Sequence, residues 1–411
     1  METQCHSFTE DTVVFNVLDS SSTPFNGAVC DKCSPRKDYI GVKNLIISFH
    51  LFEFGFSLDY VAFIKESLDY ISQSNIFPNL TDVYILYSRD PMDLDEIVCK
   101  YNIKKIKINY FLLRSRFTNQ YCKNFHVLDW EPNNEKALFL VGDPFRFNRL
   151  PVIYEFYKRN KLDILDYSLH PNYIHSLKYG DFNEFITSNK HNIDFYSELL
   201  TEGDSVALID FLYTNQKSMD TSTTNCIFES SAYTIPNQLF QSSLTLCMET
   251  YFFGIPNSDN IFSEKFWKTV LCKKPFILSS LNDHYYHALE KLGFRTFLEY
   301  TSVPKKIDIG VTDFQEIITV HTQVTYDRTT SFLDNMKIYK NEIKSDIEHN
   351  HSLWKQLVDS EWEKLLNDCP PLQNLNILFV NSMFLLAQGH SIIFNKKANL
   401  NTFLCHAPVI Q

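Results

Sequence analysis

The residues best placed to do chemistry lie between Leu244 and Phe297. The apolar run Leu244 to Met248 (LTLCM) predicts a buried strand. It delivers Glu249 at its carboxyl end, where open α/β sheets hold their ligands. After a loop rich in Asn, Ser and Asp, Ser263 stands in an N-cap position, and Glu264 and Lys265 open the next helix. The free N–H groups and positive dipole end of such a first turn suit a phosphate, and Lys265 adds a full charge beside them. Glu264 is of the type that accepts hydrogen bonds from sugar hydroxyls. Together these residues would make a nucleoside-diphosphate site. A plainer account of the same spacing is that an acid in a first turn is favoured by the helix dipole alone.

Such a site needs strands and helices to hold it. Helical spacing covers Glu264 to Leu271, Pro275 to Leu278 (PFIL) reads as a strand, and His284 to Leu292 as a helix closed by Gly293, with a further strand starting over Phe294 to Phe297. Upstream, Leu45 to His50, Val83 to Tyr87, Ile106 to Tyr110 and Ala137 to Val141 read as strands. Leu58 to Tyr70, with Val61, Ile64, Leu68 and Ile71 in register, reads as a helix, as does Asp93 to Tyr101. Strands alternating with helices argue for parallel α/β sheets. The tail, Ser331 to His349 and Leu353 to Asn367, reads as amphipathic helix.

The expected organisation is an arm over 1–40, an α/β domain over 41–170, a connection over 171–225, a second α/β domain over 226–330 and a helical tail over 331–411. The chain has 411 residues, 44% hydrophobic and 21% charged, which excludes wholesale disorder, collagen-like order and a coiled-coil rod. Its net charge of -11 argues against a general polyanion binder. Only 10 residues are glycine and none lie close together, so GxGxxG, the GxxxxGK[ST] loop and GxSxG are absent. With 35 Phe and 22 Tyr, the packing is aromatic. The N-terminal residues carry charge without an apolar segment, Ile377 to Ala387 is too short for a membrane span, and the 10 cysteines then fit free thiols in the cytoplasm.

The same segment resembles the donor-binding half of fucosyltransferase-like glycosyltransferases of the GT-B class. It is still more similar to glycosyltransferases of phages and large DNA viruses. The matching residues are Glu249-Thr250-Tyr251-Phe252, Ser263-Glu264-Lys265-Phe266-Trp267, Lys274-Pro275-Phe276-Ile277, Leu292-Gly293-Phe294 and Thr296-Phe297. Ser263 stands where those relatives carry Thr. A weaker likeness covers Val141 to Arg149, where Asn148 replaces a His.

The resemblance implies two Rossmann-like domains facing a cleft, and donor binding by Glu249, Tyr251, Ser263, Glu264 and Lys265, with Lys265 on the diphosphate and Glu264 on the ribose. Arg146 and Arg149 would add charge across the cleft. The general base would be a carboxylate of the N-terminal domain, with Asp143 and Glu53 the candidates because each follows a predicted strand. No metal and no cofactor is implied beyond the nucleotide-sugar, and a virus-encoded enzyme would work in host cytoplasm. The acceptor is open: a glycan, a protein or modified DNA. The alternative is a catalytically inactive relative acting in a virion or scaffold.

Other constellations read as structural. Cys30 and Cys33 have half the spacing of a zinc site, with no second pair anywhere. Asp93-Leu94-Asp95 has the form of a metal-binding DxD pair but opens a helix, where acids are favoured anyway. His284 and His287 lie i, i+3 on one helix. Lys104, Lys105, Lys107, Arg114 and Arg116 form the one local basic cluster, the place a DNA acceptor would need.

Overall fold

The computed structural model describes residues 3–9, 11–17, 40–49, 60–75, 77–87, 97–109, 112–113, 115–116, 129–132, 134–141, 144–145, 149–169, 181–217, 235–248, 262, 264–279, 284–304 and 313–374. The chain divides into two compact units, residues 1–120 with 357–411, and residues 121–356.

The first unit is built on a five-stranded sheet of β1 (Thr3–Thr9), β2 (Thr12–Val17), β3 (Asn44–Phe49), β4 (Asp82–Tyr87) and β5 (Asn102–Lys107), in that spatial order. β1 and β2 pair antiparallel, and the other pairs are parallel. The expected N-terminal arm therefore starts as two paired strands. Helix α1 (Tyr60–Ser74) follows β3 and buries Ile64, Leu68 and Ile71, the i, i+4, i+7 stripe its sequence shows. Leu45, Ile46, Val83, Ile85 and Leu86 are fully buried in the central strands.

The helix expected over 93–101 is not seen in its described part. Residues 97–101 are irregular, and the Tyr101 N–H turns back onto the Cys99 sulfur at 3.4 Å. β5 lies at a sheet edge and carries the lysines, a placement that discourages edge-to-edge pairing. Lys104 donates to the Tyr84 hydroxyl at 3.0 Å and Arg116 pairs with Asp359 at 3.1 Å, so these two charges of the basic cluster are engaged. Arg114 lies outside the described residues.

The second unit holds β6 (Ala137–Phe139), α2 (Arg149–Lys158), β7 (Leu165–Tyr167), α3 (Phe182–Ser188), α4 (Lys190–Thr201), α5 (Ser205–Thr214), α6 (Asn237–Gln241), β8 (Leu244–Met248), α7 (Glu264–Leu271), β9 (Phe276–Ser279), α8 (His284–Leu292), α9 (Phe314–Asn335) and the start of α10 (Lys340–Asp368). Its sheet has the order β7-β6-β8-β9, with every pair parallel. The α/β class is thus observed.

The division falls elsewhere than the sequence boundaries. β6, expected with the N-terminal strands of 41–170, hydrogen-bonds beside β8 instead. The described residues of the stretch 171–225 contain three helices, two of them capped by aspartates: Asp181 accepts from Glu184 N–H at 2.8 Å and Asp204 from Ala207 N–H at 3.0 Å. No strand forms at 294–297, because Asn350 takes both backbone groups of Arg295, at 2.8 and 2.9 Å, in place of a ladder. In the tail the helix break lies at 336–339 rather than near 350, since Asn350 and His351 are buried within a continuous α10.

Candidate functional site

In the second sheet the chain leaves β6 in one direction, through α2 to β7, while β8 and β9 lie on the other side. The strand order therefore reverses between β6 and β8. Open α/β sheets bind ligands outside the carboxyl ends of the strands at such a reversal. Two of the segments singled out on the sequence follow these strand ends. One is the 141–149 stretch after β6, and the other is Glu249 through Lys265 after β8. Expected on opposite domains, these segments follow two strands that are neighbours in one sheet, with Ala137 to Phe139 paired to Leu244 to Leu246.

The direction of α7 follows from its ends. β9 starts beside the start of β8, with Thr245 N–H donating to Pro275 C=O at 3.0 Å. The carboxyl end of α7 therefore lies at the amino edge of the sheet, and its first turn lies toward the carboxyl edge. The last turn closes by a Schellman motif, Lys274 N–H to Thr269 C=O and Lys273 N–H to Val270 C=O, both at 3.1 Å, with Lys273 at φ 52°. Phe266, Trp267, Val270 and Leu271 are buried, and Phe266 meets the rings of Phe262, Trp267, Phe276 and Phe294.

Lys265 sits in the first turn of this helix, partly exposed. Glu264 is its first residue. Glu249, Tyr251, Ser263, Arg146, Asp143 and Glu53 lie outside the described residues. Arg149 opens α2 and is only 3% exposed, packed into the unit rather than presented to solvent. Nearby, the segment after β6 is pinned by Ser168, whose Oγ accepts from Val141 N–H at 2.9 Å and donates to its C=O at 2.6 Å. Tyr196 donates to Phe145 C=O at 3.2 Å.

The residues that sequence reasoning missed lie one strand along. Ser279 closes β9, opposite Met248 in register and so level with the strand end that leads to Glu249. Its Oγ lies 3.1 Å from His321 Nε2 and 3.1 Å from Thr325 Oγ1. Both partners come from α9, whose helix start is capped by Asp313 accepting from Gln315 and Glu316 N–H at 3.0 Å. The buried side of α9 also carries Thr322, Arg328 and Thr329. Arg328 lies over the Tyr286 ring at 5.3 Å and donates to Pro304 C=O at 3.1 Å. The Tyr286 hydroxyl satisfies both backbone groups of Leu278, at 2.8 and 2.9 Å, on the outer side of edge strand β9.

Burial, reinforced by the Arg328 charge, pulls the His321 imidazole down to about 3, so it is neutral at physiological pH. The signal in the sequence was the polar spacing His321, Thr325, Arg328 at i, i+4, i+7, which looks like a solvated stripe until the helix is seen to bury it.

Among the described residues no group of three or more His, Cys, Asp or Glu could hold a metal ion. His287 is exposed and 3.7 Å from Glu290, while Cys30, Cys33, Asp93 and Asp95 lie outside the described residues. Cys247 and Cys272 are buried thiols, and burial pushes Cys272 well above the ordinary range. No described helix is long and apolar enough to cross a membrane. Comparison with protein families, with curated proteins and with solved structures finds no match.

Proposed function

We propose that this protein is a glycosyltransferase that binds a nucleotide-sugar at the β6/β8 carboxyl edge and passes the sugar to an acceptor without a metal. The observation that carries the reading is the reversal of strand order at β6/β8, with the first turn of α7 and Lys265 at that edge. A helix start supplies N–H donors and a positive dipole end, and Lys265 supplies a full charge, a combination that neutralises a leaving diphosphate. In this reading Lys265 contacts the diphosphate and Glu264 the ribose hydroxyls. Ser263 caps the helix, and Glu249 and Tyr251 line the sugar side. Arg146 adds charge from the β6 side, and Arg149, being buried, positions that segment. Asp143 and Glu53 are the carboxylates offered as general base. A two-domain GT-B arrangement, with host cytoplasm as the place of action, belongs to the same proposal.

The test is thermal unfolding with GDP, UDP, ADP, TDP and CMP, on the wild type and on Lys265→Ala. Ligand at about 100 times its dissociation constant stabilises by about 2.7 kcal/mol. A shift with one nucleotide, lost in Lys265→Ala, is the expected result. Equal shifts in both proteins, or none with any nucleotide, would sink the reading. In the second case the inactive scaffold becomes the better account, and it is favoured by the exposed apolar face of α5.

A further inference from the structure

Helix α5 (Ser205–Thr214, SVALIDFLYT) carries one charged residue, Asp210. Its inner side buries Leu208, Phe211 and Leu212. The outer side is apolar as well: Val206 is 66% exposed and Tyr213 63%, with Ile209 half-buried between them. These three stand at i, i+3, i+7, so they form one stripe along the helix. The Tyr213 ring leans edge-on against Phe182 of α3 at 5.2 Å, which continues the apolar surface off the helix. A helix that is apolar on every side is ordinarily buried on every side. Contiguous exposed apolar surface rimmed by polar groups marks an interaction site.

The charges on α4 and α5 are mostly of one sign. Asp194, Glu198, Glu202, Asp204 and Asp210 are all exposed. From Asp181 to Asn215, Lys190 is the only lysine or arginine. Asp204 is partly used, since it caps α5. The others leave the paired helices α4 and α5 strongly negative, while on the α2 side, where Tyr157 meets Phe211 at 4.9 Å, Lys158 and Arg159 are paired with Glu155. Two copies of this face would repel each other, and an anionic lipid surface would be repelled likewise.

We propose that the Val206–Ile209–Tyr213 face of α5 docks a basic amphipathic helix of a protein partner. The partner's apolar residues at i, i+3 or i+4, and i+7 pack along the stripe, and its flanking Lys and Arg meet the acidic residues of α4 and α5. The packing is helix against helix, so the partner adds a further helix to the α3, α4, α5 group. The assignment is independent of any nucleotide site.

The experiment uses the full-length protein and a fluorescein-labelled helical peptide of about 18 residues, built from Leu at helical spacing and Lys elsewhere. Two control peptides replace Lys by Glu, or scramble the Leu spacing. The protein variants are Val206→Ser with Tyr213→Ser, and Glu198→Gln with Glu202→Gln and Asp210→Asn. All five side chains are exposed, so melting temperatures should stay close to wild type.

Fluorescence anisotropy should show binding of the Leu/Lys peptide, weakened about tenfold or more by either variant and by added salt. The two control peptides should bind at least about tenfold more weakly. Equal binding to wild type and to the Ser variant would overturn the proposal, as would equal binding of the scrambled peptide or no binding at all. Light scattering supplies a separate check. A wild-type dimer that becomes a monomer in the Ser variant would assign the face to a second copy of this chain and overturn the heterologous partner.

Discussion

Helices α7 and α9 belong to the same four-stranded unit, yet their buried sides are built on opposite principles. α7 buries Phe266, Trp267, Val270 and Leu271 in a cluster of aromatic edges and faces. α9 buries His321, Thr322, Thr325, Arg328 and Thr329 along with Ile318, Phe332 and Leu333. Apolar packing is non-directional, so it fixes α7 mainly by volume, with buried Thr269, 3.5 Å from Cys247 Sγ, as a polar exception. Polar packing works only when each donor meets an acceptor, so the Ser279–His321–Thr325 triad fixes the rotation and height of α9 on β9 to within a hydrogen-bond length. One helix is held by how much it buries, and the other by which atoms it brings together.

The contrast is broken most severely at Phe266. Its side chain is fully buried among four rings, so Phe266→Ala should cost about 3–5 kcal/mol of unfolding free energy in urea titration. A cost below about 1 kcal/mol would mean that the α7 cluster collapses to fill the cavity.

The next largest effect is on the polar helix and depends on pH. The unfolded His321 protonates near 6.5, while burial and then Arg328 hold the folded one at about 3. Below pH 6.5 the unfolded state binds a proton that the folded state refuses, so stability falls as pH falls, by about 1.4 kcal/mol per unit. Above 6.5 both forms are neutral and this dependence vanishes. His321→Gln keeps a polar group near Ser279 and removes the titration. It should lose about 1–3 kcal/mol at neutral pH yet show a shallower decline between pH 6 and 4. Unfolding curves across that range decide it, and an unchanged slope in the variant would mean that other groups carry the acid sensitivity.

The caps of α7 and α8 make a finer comparison, since both end in Schellman motifs. Gly293 serves α8 at φ 92°, and Lys273 serves α7 at φ 52°. Lys273 lies in the region a side chain tolerates, and its amine pairs with Glu348 at 2.7 Å. Gly293 lies further out, and an added Cβ would stand 3.3 Å from Leu353 Cδ2. Gly293→Ala should therefore cost about 1–2 kcal/mol in thermal melts.

These differences also explain what the sequence makes legible. β8, α7 and α8 have the residue bounds expected, because strong apolar periodicity, a helix start and a glycine stop coincide there. Gly293 is found in the positive-φ cap expected of it. The strand expected at Phe294 was lost to Asn350, a residue distant in sequence, and local pattern carries no such information. The same holds for β6: ALF reads as a strand, but its partner is chosen by tertiary pairing with β8. The three helices over 182–214 escaped because their polar caps resemble loop composition. The buried polar face of α9 was hidden for a related reason. A stripe of His, Thr and Arg has the pattern of a wet surface, and only the packing against β9 shows that it is dry.

The smallest effect separates two threonines on that dry face. Thr325 and Thr322 are 2% and 5% exposed, one turn apart, and both are β-branched. The Thr325 hydroxyl meets Ser279 at 3.1 Å, whereas the buried Thr322 hydroxyl has no hydrogen-bond partner among the described residues. Replacing either by Val exchanges a hydroxyl for a methyl at nearly constant volume, so the two substitutions differ mainly in the bond they remove. Thr325→Val strands the Ser279 hydroxyl on one side and should cost about 1 kcal/mol. Thr322→Val removes a desolvated hydroxyl that gains nothing in return, and should be neutral or stabilising by up to about 1 kcal/mol. Paired urea titrations measure the difference directly. If Thr322→Val instead costs as much as Thr325→Val, the whole polar face is cooperative and the hydrogen bonds cannot be assigned one at a time. A stabilising Thr322→Val would confine the specific part of the α9 contact to Ser279, His321 and Thr325.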